Sequence, residues 1–323
     1  MTVAFIFPGQ GSQAVGMGRA LAEAFPAARA VFEEVDQALG DKLSAIIWEG
    51  PDDDLIRTRN AQPALMAVSM AVLRALGAEG VSLNDSAAYV AGHSLGEYSA
   101  LAAAGSLSIG DTARLLRLRG DAMQRAVPEG QGAMAALLGL DLEPVREIAR
   151  EAAGADEVCA VANDNAPGQV VVSGHRAAVE RAVDIAKARG TRRAMMLAVS
   201  APFHCALMQP AAEVMANALA AADIRAPAVP LVANVLAAPV SDPTEIRRRL
   251  VEQVTATVRW RESMAWLGAN GVTRMVEIGA GKVLTGLAKR IVPDVSASAV
   301  NTPDDVRSLA AELLKVEGHR VQS

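Results

Sequence analysis

Gly92-His93-Ser94-Leu95-Gly96 fits the pattern G-x-S-x-G and stands between a short apolar run, Ala87 to Ala91, and a helical stretch rich in Ala and Leu from Glu97. A strand that turns sharply into a helix belongs in an α/β fold. Half of the residues are hydrophobic and only 3% aromatic, so the core is built from Ala, Val, Leu and Met, which suits helices packed on buried parallel strands. The glycines permit the turn, Ser94 projects its hydroxyl, and the amide of Leu95 with the helix N-terminus faces any oxyanion formed there. The alternative is a serine that merely caps the helix.

A chain of 323 residues accommodates a main domain with a smaller insert. Val3 to Phe7 reads as a strand, followed by the glycine turn Pro8-Gly9-Gln10-Gly11-Ser12 and helical patterns to about Leu39; Gln62 to Leu76 reads as a mostly buried helix, and another runs from Asp111 to about Ala126. Between Pro128 and Ser200 the rhythm changes. Apolar runs at Ala133 to Leu138, Val158 to Ala162, Gln169 to Val172 and Arg193 to Val199 alternate with helical patterns at Leu142 to Ala153 and Ala177 to Ala188. That order, βαββαβ, is ferredoxin-like. The expected division is a large domain of residues 1–127 and 201–323 and a small domain of residues 128–200. Longer elements then return: helices at about Ala206 to Ala221, at Thr244 to Val254 and after Thr302, where Pro303 takes the first helical position, and strands at Pro230 to Ala233 and Arg274 to Ile278.

A formal net charge of −5 gives no overall basic field to hold nucleic acid. No apolar run is expected to reach the roughly 18 residues of a membrane span, and Met1 to Phe7 enters a strand without a charged leader, so a cytoplasmic protein is expected. Cys159 and Cys205 are too few for a disulfide framework and lack clustered partners for zinc. They read as cytosolic thiols.

A serine hydroxyl needs a base, and four histidines are candidates. His319 lies in the polar tail, His175 opens a helix of the small domain, and His93 is directed away from Ser94 by its neighbouring position. His204, in Ser200-Ala201-Pro202-Phe203-His204-Cys205, sits where the chain leaves the small domain for the large one, and is the best placed. On the helix from Asp111, the residues Thr112, Leu115, Leu116, Ala122, Met123 and Ala126 form an apolar stripe that contains Arg119, whereas Arg114, Asp121 and Arg125 take the polar side. A buried guanidinium should face an anion, a structural Asp or Glu or a substrate carboxylate, unless its stem snorkels out to water.

Two further patterns carry less. Gly9-x-Gly11-x-x-Ala14 follows a strand as a dinucleotide fingerprint would, with Glu33 or Glu34 near the ribose position, but Pro8 and Gln10 suit a rigid amide-donating loop equally. Gly279-Ala280-Gly281-Lys282 lacks the first glycine and the metal-binding hydroxyl of a phosphate loop.

Taken together, Phe7-Pro8-Gly9-Gln10-Gly11-Ser12-Gln13, Gly92 to Tyr98, Arg117-Leu118-Arg119-Gly120, Asn165-Ala166-Pro167-Gly168-Gln169, Pro202-Phe203-His204, Gln253 with Val258-Arg259-Trp260, and Gly281-Lys282-Val283-Leu284 resemble the malonyl-CoA:acyl carrier protein transacylases of fatty acid synthesis and the related acyltransferase domains of polyketide synthases. The resemblance spans nearly the whole chain. It implies an α/β-hydrolase-like large domain with a mainly parallel sheet and a ferredoxin-like insert. By the same resemblance Ser94 is the acylated nucleophile, His204 its general base, the amides of Gln10 and Leu95 the oxyanion hole, and Arg119 the carboxylate anchor. Gln253 corresponds to the residue that orients the histidine through a carbonyl. Thr257 and Ala280 stand where the family often has proline, and Phe203 before the histidine accompanies malonyl rather than methylmalonyl.

The implied reaction is ping-pong transfer of malonyl from coenzyme A to the phosphopantetheine thiol of acyl carrier protein, with no metal or other cofactor. An acidic carrier calls for a basic patch, with Arg189, Arg192, Arg193, Lys282, Lys289 and Arg290 as candidates. A serine hydrolase, a dinucleotide-dependent oxidoreductase and a non-catalytic carrier-docking module are the competing readings.

Overall fold

The structure is a computed structural model that describes residues 2–191 and 193–320. Met1 and Arg192 lie outside the described residues, as does the side chain of His319.

Five consecutive apolar residues, all buried, make β1 (Val3–Phe7) a strand covered on both faces, as the centre of a parallel sheet requires. It is flanked by β2 (Tyr89–Gly92) on one side and by β9 (Arg274–Ile278) on the other, both parallel to it. The other strands are β3 (Gly132–Leu138), β4 (Cys159–Ala166), β5 (Gln169–His175), β6 (Arg193–Met196), β7 (Leu231–Ala233), β8 (Ala238–Val240) and β10 (Ser296–Val300). The larger sheet has the order β10-β9-β1-β2-β7-β8, parallel throughout except for the β7–β8 hairpin at one edge. The smaller sheet, β4-β5-β3-β6, is antiparallel throughout, with the helices Leu142–Ala152 and Arg176–Ala188 closing its core around Leu137, Ile148, Val172 and Val179. This is the strand order of a ferredoxin-like βαββαβ unit. The α/β class and both sheet types agree with the expectation.

Some particulars differ. The helix Thr58–Ala78 is 21 residues long and apolar enough by composition to cross a membrane, a longer apolar element than the sequence reading allowed. Here it is a core helix, buried on most of its surface between the helices Pro26–Leu39 and Ile109–Arg125. β6 ends at Met196, not Val199, although Leu197 N still donates to Met134 O at 2.9 Å. β8 and β10 have no counterpart in the sequence reading.

The edge strand β4 carries two register shifts, one beside Asn163. There Asp164 N donates to Val258 O at 3.0 Å and Val258 N donates to Ala162 O at 2.9 Å, joining the small sheet to the segment before the Trp260–Ala269 helix. Arg261 pairs with the buried carboxylate of Asp164 at 2.9 Å, and Thr257 Oγ1 donates to Val161 O at 2.6 Å. Asn163 and Asn165, beside this seam, line the main cleft.

Candidate active site

The turn after β2 is as sharp as its glycines suggest. A Cβ on Gly92 would lie 1.9 Å from Gly96 backbone, and one on Gly96 would lie 2.4 Å from Phe7 O, so neither position admits a side chain. Ser94 between them has φ 53°, and His204 has φ 58°; among the described residues only Ala237 is a further non-glycine in the left-handed region. Backbone strain of this kind costs on the order of 1–3 kcal/mol per residue and persists only where surroundings impose it. Asn234, just after β7, imposes it at Ser94. Its Oδ1 accepts from Ser94 N at 2.8 Å and its Nδ2 donates to Gly92 O at 2.7 Å.

Ser94 Oγ lies 2.7 Å from His204 Nε2, and His204 Nδ1 lies 2.9 Å from the backbone carbonyl of Gln253. A carbonyl only accepts, so Nδ1 carries the proton and Nε2 is the acceptor that faces the hydroxyl. Burial, reinforced by the charge of Arg119, pushes the imidazole pKa down to about 3, which keeps the ring neutral and ready to take a proton. The other histidines stand elsewhere. His93 Nε2 bonds Asn165 Oδ1 at 2.8 Å, turned from Ser94, and His175 Nδ1 accepts from Val158 N at 2.8 Å.

Arg119 is 1% exposed, so the apolar-stripe reading placed it correctly in the interior. Its partners are neutral: Nη1 donates to Gln62 Oε1 at 2.8 Å, while Nη2 donates to Gln253 Oε1 at 2.8 Å and to Ser94 Oγ at 3.2 Å. Nε has no hydrogen-bond partner. Among the described residues no carboxylate comes within 4.0 Å of this guanidinium, and it is not exposed, so neither the structural ion pair nor the stem that snorkels to water, two of the readings open from sequence, is formed. Gln62, Asn234 and Glu97 are site residues that the sequence reading did not single out.

Ser94, His204, Arg119 and Gln62 line a cavity of about 1150 Å³, with Asn234, Glu97 and Gln253 behind them. Gln10, Ser94, Leu95, Arg119 and His204 meet on its floor; Met134, Asn163, Asn165, Val171 and the segment Leu197 to Ser200 form its opposite wall. Leu95 caps the helix Gly96–Ala103, and Gln10 is held through its side chain by Thr58 Oγ1 at 2.9 Å. Arg57, paired with Asp54, and Arg59, paired with Asp121, also line the cavity.

The loop after β1 does not cradle phosphates as a dinucleotide site would. The next helix begins only at Arg19, and Gly11 N is taken by Gln13 Oε1 at 2.7 Å, while Glu33 and Glu34 are exposed on the Pro26–Leu39 helix. Of the basic residues proposed for docking, Arg189 is paired with Glu147 and Glu151, and Arg290 bonds Gln169 Oε1 and Pro167 O. Arg193, Lys282 and Lys289 are exposed and have no carboxylate within 4.0 Å among the described residues. No cluster of three or more His, Cys, Asp or Glu that would hold a metal occurs among the described residues.

An α/β scaffold places a strained serine at a strand-to-helix turn, a neutral histidine on its hydroxyl and a buried arginine beside both, an arrangement fit for nucleophilic chemistry. Residues 4–302 match the acyl transferase domain model, and the chain belongs to that family. It is 45% identical to the malonyl CoA-acyl carrier protein transacylase of Bacillus subtilis strain 168, over 98% of each chain. The crystal structure of the acyl-carrier-protein S-malonyltransferase of Bartonella henselae superposes with a TM-score of 0.95 at 57% identity, covering 97% of this chain and 99% of that one. A malonyl-transacylase solved in complex with a type II PKS acyl-carrier protein superposes at 0.93 with 44% identity, covering 97% and 100%.

Proposed function

We propose that this protein transfers a malonyl group from malonyl-CoA to the phosphopantetheine thiol of an acyl carrier protein, through a malonyl ester on Ser94, in fatty acid biosynthesis in the cytoplasm. The observation that carries this reading is Arg119, a buried cation 3.2 Å from the nucleophile whose hydrogen bonds all go to neutral groups. An acyl group with a terminal carboxylate would complete it.

In the first half-reaction His204 Nε2 takes the proton of Ser94, and Oγ attacks the thioester carbonyl. The amides of Gln10 and Leu95 receive the oxyanion, a contribution of roughly 2.7–4 kcal/mol per donor in comparable sites. Collapse breaks the carbon–sulfur bond, and the coenzyme A thiolate takes the proton from His204. In the second half-reaction the carrier thiol gives its proton to Nε2 and attacks the ester; the carbon–oxygen bond breaks, and Ser94 regains its proton. The chemistry is carried by these side chains and amides, and no cofactor is called for. Gln253 orients the base through its backbone carbonyl. Residues 128–200, as a small domain, roof the acyl chamber, and Arg193, Lys282 and Lys289 are the groups of the original basic set that remain suited to meet an acidic carrier.

The test is intact mass after incubation with a panel of acyl-CoA esters. Malonyl-CoA should leave one malonyl adduct, stable until carrier protein is added, while acetyl-CoA should label far less. Rapid release of malonate to water without carrier would make the protein a hydrolase and overturn the reading.

A further inference from the structure

Glu97 follows the nucleophile turn and is 1% exposed, yet it makes no ion pair within 4.0 Å among the described residues. Gln253 Nε2 donates to its Oε2, and Asn234 N donates to its Oε1 at 3.3 Å. The Gln253 amide is therefore divided between two surroundings. Nε2 faces acceptors only, namely Glu97, Ser94 O at 2.9 Å and Asn234 Oδ1 at 3.3 Å; Oε1 faces Arg119 Nη2, which can only donate. Were this amide to flip, an NH₂ group would oppose the guanidinium and a carbonyl would oppose the carboxyl.

We propose that Glu97 is a positioning residue for acyl selection: by accepting from Gln253 Nε2 it locks that amide with Oε1 toward Arg119, and so keeps the guanidinium aimed at the acyl carboxylate. The proposal rests on Arg119 as the carboxylate anchor. Glu97 touches neither Ser94 Oγ nor the entering acyl group; it acts through Gln253. Its titratable neighbours are Arg119 on the Ile109–Arg125 helix and Tyr98 on its own helix, with Gln253 and Asn234 as neutral contacts. Burial is the largest influence on the carboxyl, ahead of these hydrogen bonds and the Arg119 charge, and raises its pKa to about 8. Both carboxyl oxygens face N–H donors, so they serve Gln253 Nε2 and Asn234 N as acceptors.

The experiment compares the ratio of malonyl to acetyl labelling of Ser94 in wild type, Arg119→Ala, Glu97→Ala and Glu97→Gln. Arg119→Ala should lower the ratio; if it does not, the anchor reading and this proposal fall together. Given that drop, Glu97→Ala should lower the ratio about tenfold, as loss of a hydrogen bond acting on a charged group implies, and Glu97→Gln, whose carbonyl still accepts from Gln253, should recover most of it. A proportional loss of both substrates in Glu97→Ala, with no recovery in Glu97→Gln, would leave the anchor intact and overturn the proposal. If Glu97→Ala does not fold, Glu97→Met, which keeps the volume without a strong acceptor, takes its place and should lower the ratio in the same way. A ratio equal to that of wild type overturns the proposal.

Discussion

The two walls of the cleft are built differently. The floor, at the C-terminal ends of β1, β2 and β7, holds Ser94, Asn234, Gln253, Arg119 and His204 in a closed set of hydrogen bonds in which each residue fixes another. The roof, from the smaller sheet, presents Met134, Val171 and Leu197 with two asparagines, and among the described residues it is held mainly at one edge. At its β4 edge Asp164, Asn165 and Val161 are tied to Arg261, His93 and Thr257, whereas on the β6 side Met195 and Met196 are exposed and Ser200 O receives a single 3.3 Å bond from Gln124. The proposed chemistry therefore sits on the wall with more cross-bonds, and the dimensions of the chamber belong to the wall with fewer.

The sharpest way to break this division is on the floor. Ser94→Ala should abolish the malonyl adduct in intact mass while leaving the melting temperature near that of wild type; a persisting adduct would place the nucleophile elsewhere. At the seam, Arg261→Ala leaves the buried Asp164 carboxyl without its cation, and removing one partner of a buried pair costs about 3–5 kcal/mol. Denaturant unfolding should show that loss, whereas Ser94 labelling per folded molecule should change little. Arg119→Ala should lower the malonyl-to-acetyl ratio by at least about tenfold, from loss of charge-assisted hydrogen bonds of roughly 1.5–3 kcal/mol each. If both substrates instead decline together with the unfolding midpoint, the arginine belongs to the scaffold.

Acidification gives a smaller effect with a definite sign. His204 has a folded pKa pushed down to about 3 from the ordinary 6.5, so it remains a neutral base and the initial labelling rate should hold nearly level from pH 7 to pH 5. The unfolded chain takes up that proton first. Stability contributed at this site is thus complete above pH 6.5 and is lost as pH falls from there toward 3, visible as a declining midpoint that a His204→Gln variant should not share. Smallest is docking. Lys282→Glu with Lys289→Glu should slow transfer to the carrier severalfold at low salt and leave acylation by malonyl-CoA unchanged; equal loss in both steps would remove these lysines from the interface.

How much of this was legible in the sequence depended on whether a residue's partner was local. Ser94 sits in a turn whose glycines are adjacent, and Arg119 interrupts an apolar stripe on its own helix, so both could be found without knowing the fold. Asn234 and Gln62 gave no such signal: one follows a three-residue strand, the other lies within a buried helix, and their partners are 140 and 57 residues away. Glu97 was visible inside the turn segment, but as an acidic residue in a helix's first turn it had an ordinary explanation. Among the strands, β10 is Ser-Ala-Ser-Ala-Val, with a single branched residue at its end, and is recruited by pairing with β9.

Arg119 is a buried cation whose hydrogen bonds all go to neutral groups. On the proposed reading the acyl group is a missing piece of the protein's own core, and the malonylated form is the more completely assembled molecule. A ligand that binds only the folded state adds to resistance to unfolding, so on that reading supply of substrate and persistence of the catalyst are linked.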